Sequence, residues 1–290
     1  MFGCQLLKRL IIIGFVLNAS FCFALGAKSH RHSAFPENDL WVPSSSHFAA
    51  VDEWNNGYEE AAYHQVLDAF YQLYAPRIEL LGGVFIIERD WTDGAVNAFS
   101  WKGGNQFGIE IPGGISRYEL MNEEAFILVI CHEMGHILGG APHREGTSFE
   151  GQSDYFSSLK CMREMLPLLP RPQVIVGGDC MKAFGQDEGG RQGAELQSCQ
   201  NTFRGALALT SLYARVEGSP FPKPETPDTK KVSRSSHKHP KAQCRLDTIL
   251  AGMLCPVAVD QAVSEANPAT GTCMRPEYER EARPRCWYRP

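Results

Sequence analysis

Apolar and polar residues recur with two different periods along this chain, and the changes of period mark its elements. Residues 59–74 place apolar side chains at helical spacing, and 84–88 reads as a strand. Two further strands are expected near 95–100 and 106–111. A helix then covers 122–138. Its centre, Ala125-Phe126-Ile127-Leu128-Val129-Ile130, is apolar all round, as in a buried helix, and Gly139-Gly140 ends it. A second helix opens at Glu150 and runs to about 166, a third covers 194–216, and 245–254 is helical in pattern. Between the last two, 217–241 shifts to Pro, Lys, Ser and His, a composition expected of a mobile surface loop. There is no internal repeat. Several helices with a few short strands predict an α+β fold with a small antiparallel or mixed sheet.

The buried helix carries the chemistry. It reads His132-Glu133-Met134-Gly135-His136, and four residues of α-helix turn through about 400°, so both histidines lie on one face within reach of one metal ion. Glu133 is set beside that ion, placed to take a proton from water activated there. A zinc site needs a third protein donor, and two residues qualify. His143 is one, although it follows Pro142 and stands seven residues past His136, one beyond the spacing H-E-x-x-H-x-x-G-x-x-H. Glu150 is the other. With Asp154 one turn later on the same face, the first can bind metal while the second receives the free ring N–H of a ligand histidine.

Further motifs flank the helix in order. Asn97-Ala98-Phe99 and Gly103-Gly104 precede the strand-like Phe107-Gly108-Ile109-Glu110-Ile111, and His239-Pro240 stands six residues before Arg245. The set N-A-F, G-G, H-E-x-x-H, E-x-x-x-D and H-P-x-x-x-x-R, spread over about residues 57–250, resembles the gluzincin zinc peptidases that include the CAAX prenyl endopeptidase and the periplasmic β-barrel assembly-enhancing protease. The resemblance implies a zincin-like fold and an endopeptidase with one zinc per chain, held by His132, His136 and Glu150, with Glu133 as general base. It implies His239 as the donor to the oxyanion of the tetrahedral intermediate and Arg245, with Asp154, as a supporting group. It also implies that 106–111 is an exposed edge along which a polypeptide substrate pairs, through Phe107, Ile109 and Ile111. The loop between His136 and Glu150 is short for this family, and no multi-span membrane region accompanies it, so a prenylated substrate is not implied. A zinc hydrolase of a non-peptide substrate and a non-catalytic envelope chaperone or assembly factor on the same scaffold stay open as alternatives.

Composition places this chemistry outside the cytoplasm. Residues 1–27 carry Lys8 and Arg9, an apolar core and small residues at Ala24, Gly26 and Ala27, as a signal peptide does. The expected organisation is therefore a leader at 1–27, a metallopeptidase domain at 28–256 and a Cys-, Pro- and Arg-rich tail at 257–290. The net charge of −5 becomes about −7 without Lys8 and Arg9, which gives a nucleic-acid role no electrostatic support. Association with other envelope proteins fits an exported, periplasmic or secreted chain. Of ten cysteines, all but Cys4 and Cys22 lie beyond the leader, an even number suited to disulfides. A helix over 245–254 would hold Cys244 and Cys255 about 16 Å apart, too far to bond. Cys131 points about 100° away from His132 around the helix, which favours burial or a disulfide over metal binding.

Overall fold

A computed structural model describes residues 30–44, 54–170, 178–184 and 190–290. The leader expected at 1–27, with Cys4 and Cys22, lies outside the described residues. Strand β1 (His30–Ser33) is followed by helix α1 (Glu60–Leu80), strands β2 (Val84–Asp90), β3 (Phe99–Gly103) and β4 (Gln106–Pro112), the short helix α2 (Gly113–Arg117) and helix α3 (Glu123–Leu138). A two-stranded ribbon, β5 (His143–Arg144) and β6 (Thr147–Ser148), leads to α4 (Glu150–Phe156). Beyond it come α5 (Met162–Met165), α6 (Gly178–Phe184), α7 (Gly190–Glu217) and α8 (Ala242–Leu254). The fold is mixed α+β with small sheets.

Helix α3 is the centre of the molecule, and its sequence explains its place. Asn122 caps it by accepting a hydrogen bond from the Ala125 amide at 2.9 Å, and Glu123 and Glu124 follow in the first turn, where negative charge is favoured. Every residue from Glu124 to His136 is buried, so a helix with no polar face is packed on all sides. Gly139 ends it, and Gly140 turns the chain away with φ +71°. Helix α1 runs beyond the expected stop and through Pro76, because Ile78 beyond the proline still packs into the same core as Phe70 and Tyr74.

The main sheet has the order β1-β3-β4-β2, with β2 and β4 parallel and the other pairs antiparallel. This corrects the expectation of an exposed edge at 106–111. Strand β4 is interior, paired to β3 on one side and to β2 along Val84–Asp90 on the other, so its backbone offers no place for a substrate strand. Ile109 and Ile111 are fully buried and Phe107 packs against the same core. Side-chain alternation reports which face of a strand is covered; it does not report whether the strand's edges are paired.

The expected second helix is divided. α4 passes through a π-helical turn at Ser157–Cys161 into α5, and a 3₁₀ turn at Leu166–Leu168 ends the run. Beyond α7, segment 218–241 has no helix or strand, yet it is strapped down. The Val232 and Ser236 amides donate to the Arg285 and Trp287 carbonyls at 2.9 and 2.8 Å, and the Asp228 amide donates to Asp247 at 2.6 Å. The tail is not an appendage. Trp287 is fully buried against Gly151, where a Cβ would come within 2.2 Å of the indole, and its Nε1 donates to Thr248 at 3.0 Å. Disulfides join Cys131–Cys161, Cys180–Cys199, Cys244–Cys286 and Cys255–Cys273. Cys244 and Cys255 are thus bonded apart from each other, as their helical separation required. Four disulfides fit an exported protein, and among the described residues no helix is long and apolar enough to cross a membrane.

Candidate metal centre

Helices α3 and α4 cross where α3 carries Gly135. A Cβ there would meet the Ser153 backbone at 2.7 Å, so only glycine permits this approach, and the approach brings Glu150 to the histidines. His132 Nε2 lies 3.1 Å from His136 Nε2, 3.3 Å from Glu150 Oε2, and His136 Nε2 is 3.6 Å from Glu150 Oε1. His143 is elsewhere. Its ring sits on Glu265, with Nε2 3.0 Å from the carbonyl and 3.2 Å from the carboxylate.

Each ring is held through Nδ1. His132 Nδ1–H donates to Asp154 Oδ1 at 2.8 Å and His136 Nδ1–H to the Ser148 carbonyl at 3.0 Å, so both Nε2 atoms turn lone pairs toward one another. That geometry calls for a cation. A proton can serve one ring: burial opposes charge on His132, but Asp154 overcomes it and raises the pKa to about 9, whereas burial lowers His136 to about 3. A metal ion can serve both at once, together with Glu150. Although burial disfavours its charge, Glu150 is held ionised by the adjacent histidines, with a pKa well below the usual carboxylate range. Separations of 3.1–3.6 Å suit a tetrahedral ion, whose donors at about 2.0–2.2 Å stand about 3.3 Å apart. The residues present therefore fit zinc.

Asp154 is itself gripped. Arg245 donates to it from Nε at 2.8 Å and Nη2 at 2.7 Å, a bidentate pair, and its guanidinium lies 3.6 Å over the Tyr213 ring. Despite burial, Arg245 and His132 keep the Asp154 carboxyl below its ordinary pKa. Gln152 ties the layers together, donating to the Gly139 carbonyl at 2.7 Å and accepting from Arg283 at 2.6 Å.

Glu133 is buried beside the cluster and makes no hydrogen bond of ordinary geometry among the described residues, the Ser100 hydroxyl being a looser neighbour. Burial raises its pKa to about 7, with His132 pulling the other way. A carboxyl of that pKa can accept and return a proton near neutrality. His239 reaches the cluster from 217–241, with Nε2 3.4 Å from Glu150 Oε2 and 2.9 Å from the Ser33 carbonyl, to which it donates. Beside the donors opens a cleft of about 200 Å³ lined by His32, Arg144, Glu145, Phe149, Glu150 and His237.

The structure thus brings together His132, Glu133, His136, Glu150, Asp154, His239 and Arg245. Sequence reasoning missed His32, whose ring stacks on His136 at 5.0 Å, and the Ser148 carbonyl that orients His136. No local signal marks either: one arrives by strand pairing and the other is a backbone atom. Comparison with protein-family models, with curated proteins and with solved structures finds no match.

Proposed function

We propose that the chain is a zinc-dependent endopeptidase of the gluzincin type, acting on exported or envelope polypeptides in a periplasmic or secreted setting. The observation that carries this reading is the convergence of two imidazole Nε2 lone pairs and one carboxylate beside a buried carboxyl that, among the described residues, makes no hydrogen bond of ordinary geometry. Zinc, when bound by His132, His136 and Glu150, would supply Lewis acidity to water and to the scissile carbonyl.

The rest is the work of this chain's own residues. Glu133 accepts the proton released from water and hands it to the departing amine, a transfer suited to its raised pKa. Asp154 fixes the His132 tautomer, and Arg245 keeps Asp154 ionised. His239, through Nε2, donates to the oxygen that gains charge on the attacked carbonyl, a contribution of about 3 to 4 kcal/mol in comparable sites. Its present bond to a backbone carbonyl is the ground-state counterpart of that contact.

Turnover of casein or a quenched peptide tests the reading. Cleavage should stop with a chelator and return with zinc, and Glu133→Gln should keep its zinc while losing about 100-fold or more in turnover. Cleavage indifferent to both would remove the mechanism. A metal-replete chain that hydrolyses no peptide under any condition would leave the non-peptide hydrolase and the scaffold protein.

A further inference from the structure

The edge of β3 away from β4 borders the donor cluster, and the chain fills it with its own residues. Strand β1 pairs antiparallel along it, His30 opposite Lys102, Arg31 opposite Trp101, His32 opposite Ser100 and Ser33 opposite Phe99. Pairing continues as the Ala34 amide donates to the Ala98 carbonyl at 2.9 Å. The register decides what enters the site. Side chains alternate between the two faces, so Arg31 lies on one, paired with Glu110 at 2.9 Å and over the Phe99 ring, while His32 lies on the other, stacked on His136. An imidazole nitrogen of His32 lies within 4.8 Å of the donor atoms of both His136 and Glu150.

The backbone of this segment meets the proposed oxyanion donor and the cation that holds Asp154. The Ser33 carbonyl accepts from His239 at 2.9 Å and the Ala34 carbonyl from Arg245 at 3.0 Å. Phe35 is buried against Tyr213, so the segment is anchored at residue 35 and only its short strand could lift away.

We propose that His30–Ser33 is a built-in occupant of the peptide groove along β3, and that its His32 is a fourth protein donor to the metal held by His132, His136 and Glu150. The proposal rests on the metal-site reading above. It deepens that reading in two ways. First, the described chain is a closed form: with four protein donors no position remains for water, and cleavage requires β1 to leave. Second, it defines the substrate class, an extended polypeptide segment that pairs antiparallel with β3 and regains the backbone bonds β1 gives up. A segment with Arg or Lys opposite Trp101 would also regain the Glu110 and Phe99 contacts of Arg31.

Cobalt(II) in place of zinc in the full chain allows a test that does not depend on turnover. X-ray absorption counts the imidazoles on the metal, and acetohydroxamate titration reports an open position. Wild type should show three imidazoles and weak hydroxamate binding. His32→Ala should show two, with hydroxamate bound tighter by about 10- to 100-fold, the reciprocal of an open population of about 1–10%. His32→Phe, which keeps a ring over His136 without a donor, should also show two and serves where the smaller residue loosens the fold. Arg31→Ala should keep three while tightening hydroxamate by a smaller factor. Two imidazoles in wild type, with hydroxamate affinity unmoved by His32→Ala, would overturn the proposal and leave the three-donor site intact. A wild-type chain that holds no cobalt or zinc would remove both.

Discussion

Behind the donor cluster stands a wall of buried groups: Arg245 clasping Asp154, Trp287 filling the space over Gly151, and a disulfide from Cys244 to Cys286. In front of it stands β1, four residues held by backbone pairing, by the stacking of His32 on His136, by the His239 contact to the Ser33 carbonyl and by a surface ion pair between Arg31 and Glu110. The back wall is charged and aromatic but dry, so each of its groups depends on its partner. The front wall is wet, so its contacts are interchangeable with water or with another strand. On the reading proposed above, rigidity is needed where ligand rings are aimed, and replaceability where a substrate would enter.

The comparison breaks most sharply at Asp154. Asp154→Ala leaves Arg245 buried without its carboxylate, and urea unfolding should show a loss of about 3 to 5 kcal/mol, with zinc held about 10- to 100-fold more weakly in chelator competition. Trp287→Ala should cost a similar or slightly smaller amount, about 3 to 4 kcal/mol, by opening a cavity between the tail and α4. Its zinc affinity should fall as well, because the wall that sets Glu150 has moved.

Glu133 lies between the walls and should respond with the opposite sign. Its carboxyl titrates near 4.5 when unfolded and near 7 when folded, so the folded state is penalised once the pH exceeds 4.5, and fully penalised above about 7. Glu133→Gln should therefore stabilise the metal-free protein at pH 8 by something on the order of 3 kcal/mol, and by little at pH 5. Equal unfolding midpoints at both pH values would show that the carboxyl is not desolvated.

The smallest effect belongs to the front. Arg31→Ala should change stability by less than about 1 kcal/mol in thermal unfolding, since the Arg31–Glu110 pair is partly exposed. A large loss there would make β1 part of the fixed scaffold and erase the contrast.

What could be read in advance was whatever is local to a helix. The one-turn spacing of His132 and His136, and of Glu150 and Asp154, places side chains on a shared face whatever the rest of the chain does, and Asn122 and Gly139-Gly140 mark the ends of α3 by their own chemistry. The contact between Asp154 and a histidine ring followed from that spacing. Sheet order did not, because Ile109 and Ile111 are buried alike in an edge strand or an interior one. The pairing of cysteines depended on long-range packing, apart from the exclusion imposed by α8. His32 was illegible for the same reason: 104 residues separate it from His136, and backbone pairing with β3 is what closes the distance.

The place of Arg283 and Trp287 in the chain gives the site a timetable. Synthesis makes His32 first, then the α3 donors, and only much later the residues that brace Gln152 and cover Gly151. Until those late residues arrive and Cys286 finds Cys244, the donors stand on a helix whose backing is missing. A chain made only as far as α8 thus carries every donor while the wall that covers Gly151 beside Glu150 is still missing, and the site is completed last of all by its tail.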